Sequence, residues 1–194
     1  AGLSGYEQFG NRQVHGNNVI RLFPEDSSKI GSCALEADGF ITNAPNKALF
    51  VYYADCVPIL FYDKVKKVAG AVHSGWRGTA GRIAEAAVCK FKNEFGSESS
   101  DIIAAIGPCI CADCYQVGRE VKAEFKNAGL DAAIDGRLHA DLALANKIML
   151  EQAGLAAENI YISNLCTSCS GEFFSHRRNG NERGVCAAAI GLPL

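Results

Sequence analysis

Apolar residues fall along this chain in short runs whose period changes from strand-like to helix-like. Ala48–Tyr53 and Val57–Tyr62 are almost continuously apolar and flank Ala54-Asp55-Cys56, and Val68–His73 is a third such run. Runs of this kind predict strands buried on both faces rather than a half-exposed sheet. Ahead of them, Val19–Phe23, closed by Pro24, predicts a short strand, and Ala37-Asp38-Gly39-Phe40-Ile41 a turn entering another. Ile83, Ala87 and Phe91 then recur every four residues, with Val88 and Phe95 one step round, which predicts a helix that Gly96 stops. Ile102–Ile106 predicts a strand running into Gly107-Pro108. Val117, Val121 and Phe125 mark a second helix that fades near Gly129, and Leu142, Ala145, Ile148 and Met149 a third, closed by Gly154. Ile160–Leu165 and Val185–Ile190 predict the last strands, whereas residues 1–18 are polar and rich in Gly and Asn. No repeat, low-complexity tract or Pro/Ser-rich linker divides the chain, so one mixed α and β domain is expected.

Composition narrows the function classes. The 194 residues are 48% hydrophobic and 21% charged, with 19 Lys+Arg against 21 Asp+Glu for a net charge of −2. That balance argues against non-specific nucleic-acid binding, which needs a basic surface. No apolar run reaches the roughly 18–20 residues of a membrane span, and no charged segment followed by an apolar stretch opens the chain as a signal peptide would. Nine cysteines are many, but the number is odd and the spacings are not those of a secreted disulfide scaffold. A cytoplasmic protein with mostly reduced thiols is expected. Cys33, Cys89 and Cys186 sit among apolar or small residues and read as small buried hydrophobes.

Four stretches carry chemistry. His73 ends a predicted strand and enters Ser74-Gly75-Trp76-Arg77-Gly78-Thr79, where glycines allow close backbone approach and Arg77 offers a fork for phosphate or carboxylate. A tight turn with Arg77 pairing a surface acid explains the same residues. Asp55-Cys56-Val57-Pro58 places a charge and a thiol between two apolar strands, which suits a metal ligand or nucleophile, or a buried Cys with Asp55 capping a turn. Cys111/Cys114 and Cys166/Cys169 form two C-x2-C pairs that would suit a structural zinc, although residues 115–165 make a far longer gap than a zinc ribbon of about 15–20 residues. Phe173-Phe174-Ser175-His176-Arg177-Arg178 could hold a phosphate or form a solvated turn.

Taken in order, Gln13-Val14-His15-Gly16, Asp38-Gly39, Ala54-Asp55-Cys56-Val57-Pro58, Ala71-Val72-His73-Ser74-Gly75-Trp76-Arg77-Gly78, Ile106-Gly107-Pro108-Cys109-Ile110, Cys114-Tyr115-Gln116-Val117-Gly118 and Cys166-Thr167 through Arg177-Arg178 resemble the laccase-domain, YfiH-like family. Its older label is multicopper polyphenol oxidoreductase and its newer one purine nucleoside phosphorylase with adenosine deaminase activity. The resemblance runs from about Gln13 through nearly the whole chain. It implies an α+β fold, a layered sandwich of mixed β-sheets flanked by helices. It also implies a metal site on His15, Cys56 and His73, with zinc as the metal and copper as the alternative. Two histidines and one cysteine leave a fourth zinc position open, the catalytic pattern. Members usually carry a further segment with a Gly-rich T-R-x-G-G-type stretch ahead of the Q-V-H-G motif; nothing like it precedes His15, so an N-terminal segment is expected to be missing.

The implied substrates are a purine nucleoside and phosphate. Arg77 is expected to hold the phosphate, with Arg178 second, and Asp55 to substitute for the general-acid glutamate of zinc deaminases. His139 is expected to be peripheral. Copper-dependent phenol oxidation competes poorly, since four histidines cannot ligate a mononuclear copper plus a trinuclear cluster and only Met149 could be an axial thioether. Two further readings are a non-catalytic zinc module on the four C-x2-C thiols and a cysteine hydrolase using Cys109 or Cys56 with His73.

Overall fold

A computed structural model describes residues 2, 3, 5–27 and 36–193. Among the described residues, nine strands and five α-helices form three layers. Strands β1 (Glu7–Phe9), β4 (Lys47–Tyr53) and β9 (Cys186–Gly191) make a small sheet in the order β1-β4-β9. Strands β2 (Val19–Arg21), β3 (Gly39–Thr42), β5 (Val57–Asp63), β6 (Val68–Ser74), β7 (Ile102–Ile106) and β8 (Ile160–Ile162) make the large one, in the order β2-β3-β6-β5-β7-β8. Both sheets mix parallel and antiparallel pairs. The expected sandwich of mixed sheets flanked by helices is therefore what the chain forms.

The period-2 alternation of β6 explains the layering. Val68 and Val72 join Ile41, Val57, Ile59 and Phe61 in a core shared with the helices, whereas Ala69 and Ala71 join Phe40, Leu49 and Val51 between the two sheets. Both faces of β6 are thus covered, and every one of its residues is buried. On the helix side, α2 (Ile83–Phe95) lays Ile83, Ala87, Val88 and Phe91 on the sheet. Phe91 meets Phe61 with ring centroids 5.9 Å apart, and burying such a ring stabilises by about 1.5–3 kcal/mol. Gly70 makes room for it, because a Cβ there would stand 2.9 Å from the Phe91 ring.

Gly96 ends α2 as expected, with φ 64° and its N–H on the Lys92 carbonyl. Helix α3 (Arg119–Asn127) buries Val121 and Phe125, and Val117 precedes it. Helix α4 (Leu142–Gln152) starts at Asp141, whose carboxylate accepts from Leu144 N, and buries Leu142, Ala145 and Met149.

Three expectations need correcting. Strand β1 arises inside the polar N-terminal stretch, where only Phe9 is buried, so no apolar pattern announces it. Cys89 is exposed, since it falls on the face of α2 opposite Val88 and Phe91. Cys186 is half-buried, since it opens the edge strand β9. Cys33 lies outside the described residues.

Candidate metal centre and cleft

One end of the large sheet assembles the site. Strand β5 pairs antiparallel with β6 so that Val57 faces Ser74 and Pro58 faces His73. Cys56, one residue before β5, therefore comes level with the end of β6. Strand β3 also pairs antiparallel with β6, Gly39 opposite Val72, which sets Asp38 beside His73, and His73 N donates to the Asp38 carbonyl at 2.7 Å. Strand β2 runs parallel to β3, with Val19 opposite Gly39, and delivers the Gln13–Asn18 loop to the same edge. Register alone thus gathers residues that lie far apart in sequence.

The ligand atoms of His15, Cys56 and His73 lie within 4.8 Å of one another, and the two imidazoles meet edge to face with centroids 4.8 Å apart. His73 is buried, Cys56 half-buried and His15 exposed. Each is held by a specific contact. Gln13 locks the loop to β4 through a reciprocal pair, its Nε2 on the Tyr52 carbonyl and its Oε1 accepting from Tyr52 N, both at 2.7 Å. His15 takes a left-handed backbone, φ 60°, a conformation costly for a non-glycine residue. Three successive N–H groups repay that cost by converging on the Asp38 carboxylate: Val14 at 3.2 Å, His15 at 3.0 Å and Gly16 at 2.7 Å. The same carboxylate binds Nδ1 of His73 at 2.9 Å, which leaves Nε2 as the ring nitrogen open to a metal ion.

Glycines shape the floor. Gly75 precedes helix α1 (Trp76–Ala80), and a Cβ there would lie 3.0 Å from Cys56 Sγ and 3.1 Å from the His15 ring. At Gly78 a Cβ would lie 2.8 Å from the Gly16 carbonyl. The turn is fixed from below by a buried polar network in which Ser74 Oγ bonds Thr79 Oγ1 at 2.9 Å and Asn146 Oδ1 at 3.0 Å.

Electrostatics favour the charged forms of this cluster. Burial opposes the imidazolium of His73, but Asp38 and Cys56 outweigh it and raise its pKa to about 9. Burial likewise opposes the Cys56 thiolate, but the two imidazoles lower its pKa to about 7. Burial also works against the Asp38 carboxylate, and His73 with the Gly16 N–H draws its pKa below the ordinary value. Once the metal displaces the His73 proton, two imidazoles and a thiolate, on a floor with no room for another side chain, suit a tetrahedral ion such as zinc with an open position.

Above the floor opens a cleft of about 440 Å³ lined by His15, Cys56, Trp76, Arg77, Tyr115, Arg177 and neighbours, within the roughly 300–1,000 Å³ of small-molecule sites. Its rim is cationic. Arg77 is exposed, and its guanidinium lies 4.2 Å over the Trp76 ring and makes no ion pair or hydrogen bond among the described residues. Arg177 is committed instead, its guanidinium on the carbonyls of Cys114 and Gln116 at 3.2 and 2.9 Å and 5.2 Å over the Tyr115 ring. Burial, with Cys56 nearby, pushes the Tyr115 phenol up to about 12, so it stays a donor.

Several sequence-predicted residues take other places. Asp55, at φ 90°, lines the cleft, but both carboxylate oxygens are occupied, by Thr167 Oγ1 at 2.7 Å and Arg177 N at 2.6 Å. Arg178 lies outside the cleft lining and binds the carbonyls of Thr167, Ser168 and Phe173. The expected turn there contains a short helix, α5 (His176–Asn179), capped by Ser175. Met149, the only methionine, is fully buried in the core shared with the helices and does not line the cleft. His139 sits between α3 and α4, 3.8 Å from Asp135. Burial above all pushes the Cys109 thiol up to about 12. Asp38 is the residue whose role the sequence did not announce: it stood in the Asp38-Gly39 motif and before a buried strand, but neither assigns it to the His15 loop and His73.

A layered α+β domain with a cationic cleft above a histidine–cysteine cluster defines a small-molecule site with metal-binding character. The chain belongs to the family described as multi-copper polyphenol oxidoreductase laccase, whose model matches residues 2–193. It is 41% identical to a purine nucleoside phosphorylase of Deinococcus radiodurans over 93% of this chain and 68% of that protein. It is 40% identical to adenosine deaminase RL5, from an unknown prokaryotic organism, over 78% of this chain and 61% of that one. Its fold superposes on the Bacillus licheniformis hypothetical protein YfiH with a TM-score of 0.91 at 33% identity, covering 96% of this chain and 74% of that one.

Proposed function

We propose that this chain is a zinc-dependent purine nucleoside phosphorylase, with adenosine deaminase activity in the same cleft. His15, Cys56 and His73 are the zinc ligands, and Arg77 is the phosphate-holding residue. The observation that carries the reading is the pairing of a three-ligand floor with an unpartnered guanidinium on the rim above it. Relatives named purine nucleoside phosphorylase and adenosine deaminase support the reaction class. No described helix is long and apolar enough to cross a membrane, and free thiols support a reducing, cytoplasmic setting.

In phosphorolysis the bond from ribose C1′ to the purine nitrogen breaks as a phosphate oxygen bonds to C1′. The bonding pair leaves with the base, which takes up the proton that hydrogen phosphate loses, giving free purine and ribose 1-phosphate. Arg77 meets two phosphate oxygens with its fork and holds the nucleophile in line, the positioning that such reactions depend on. Trp76 and Tyr115, which line the cleft, give the purine apolar surface, and the Tyr115 hydroxyl is available there as a hydrogen-bond donor. Zinc, when bound, supplies Lewis acidity and a fixed positive charge at the floor. Asp38 keeps His73 and the His15 loop in place. Asp55, with both oxygens occupied, positions the wall that carries Arg177 rather than moving a proton.

Free base released from adenosine or inosine in proportion to added phosphate tests the phosphorylase; ammonia released from adenosine without phosphate tests the deaminase. Base release that ignores phosphate would contradict Arg77's role.

A further inference from the structure

The second cluster of ligating groups lies one step along the same sheet edge and plays no part in the cleft chemistry. Strands β7 and β8 run parallel, Ile106 opposite Ile162. Their pairing continues beyond the sheet as a bridge between Cys109 and Cys166, with Thr167 N on the Cys109 carbonyl at 3.0 Å. This extension brings two C-x2-C turns face to face. One is the 3-10 turn Ala112–Cys114, closed by Cys114 N on the Cys111 carbonyl at 3.1 Å; the other is closed by Ser170 N on the Cys166 carbonyl at 3.3 Å.

The four sulfurs of Cys111, Cys114, Cys166 and Cys169 all lie within 4.8 Å of one another. A tetrahedral tetrathiolate with zinc–sulfur bonds of about 2.3 Å places its sulfurs about 3.8 Å apart. Only a small contraction separates the two arrangements. The wide sequence gap between the pairs is no obstacle, because β7–β8 pairing has already closed that loop.

The surroundings favour bound thiolates. Cys111 N donates to Cys166 Sγ at 3.3 Å.

We propose that Cys111, Cys114, Cys166 and Cys169 hold a structural zinc, distinct from the one on His15, Cys56 and His73. The four thiol protons pass to solvent as the thiolates bind. The ion staples the loop after β7 to the loop after β8. Those two loops bring Tyr115 and Arg177 to the cleft, and they are joined elsewhere by Arg177 on Cys114 and Gln116. The inference rests on the quartet alone and stands whether or not the cleft floor takes metal.

Elemental analysis of the full chain, purified in reductant with zinc supplied, tests it. Cys111→Ser and Cys169→Ser should each carry one zinc fewer than the parent, and Cys169→His should restore it. Loss of the cleft-floor zinc would change the parent's total without changing this difference. The Cys56→Ala chain loaded with cobalt alone should show the intense visible absorption of a tetrahedral cobalt tetrathiolate, a readout that keeps all four cysteines and does not depend on the serine variants folding. Serine variants with the parent's zinc content, stoichiometric iron in its place, or a Cys56→Ala chain without that absorption would overturn the proposal. Disulfides among these four in the reduced, zinc-supplied protein would overturn it as well.

Discussion

The carboxylate of Asp38 binds Nδ1 of His73 at 2.9 Å while the backbone N–H of His15 donates to the same oxygen at 3.0 Å. One buried acid thus orients the His73 ring on β6 and shapes the loop that carries His15. Outer partners of this kind usually change metal affinity by about 10–100-fold when removed, and breaking a buried charge pair costs about 3–5 kcal/mol. Asp38→Ala should weaken zinc at the cleft floor by about that factor and destabilise the metal-free chain by about that energy. Chelator competition and urea unfolding check both; an unchanged zinc affinity would remove Asp38 from the site.

Gly75 tests the cradle. Its backbone is ordinary, φ −78°, so Gly75→Ala strains no dihedral and acts only through its Cβ against Cys56 and His15. The variant should fold and lose its cleft-floor zinc. Gly136→Ala, where a Cβ meets nothing within 4 Å, is the control and should keep it. Equal zinc in the two variants would mean that the floor has room the packing denies.

Arg77 tests substrate holding. A hydrogen bond to a charged partner is worth about 1.5–3 kcal/mol, so Arg77→Ala should lower phosphate kcat/KM by about 10–100-fold. The zinc content should not change. Arg77→Lys should recover part of the loss, since one ammonium replaces a two-pronged fork. Initial rates against phosphate concentration decide it.

Thiol reactivity separates the two cysteines nearest the chemistry. With its pKa near 7, Cys56 in the metal-free chain is mostly thiolate at pH 8, whereas Cys109, near 12 and buried, stays a thiol. Iodoacetamide should therefore label Cys56 well before Cys109, and zinc should protect Cys56. Mapping the labelled peptides by mass spectrometry gives the order; prior labelling of Cys109 would favour the cysteine-hydrolase reading.

Much of this was legible from the sequence where one pattern decided the element. The continuous apolar runs of β4, β5 and β6 fitted buried strands better than half-exposed ones, and the four-residue spacing of Ile83, Ala87 and Phe91 matched the inner face of α2. Gln13, His15, Cys56 and His73 were visible as motifs, yet their meeting depends on the antiparallel register of β3, β5 and β6, which no local spacing encodes. Strand β1 was hidden because one buried phenylalanine makes no period. Helix α5 was hidden because a four-residue helix held by Ser175 and Arg178 needs no apolar stripe. Asp38 was visible as a turn residue and in the Asp38-Gly39 motif, but nothing local to it says that four donors converge there.

The central claim is that zinc on His15, Cys56 and His73 serves phosphorolysis in the cleft above it. The most direct measurement is phosphate-dependent release of free base from inosine by the zinc-loaded parent, Cys56→Ala and Cys109→Ala chains, with zinc counted in each. The account predicts that Cys56→Ala keeps its fold by circular dichroism, loses one zinc and loses turnover, while Cys109→Ala keeps its zinc and most of its turnover. Full zinc and turnover in Cys56→Ala, with both lost in Cys109→Ala, would contradict it and move the site to the Gly107–Cys114 loop.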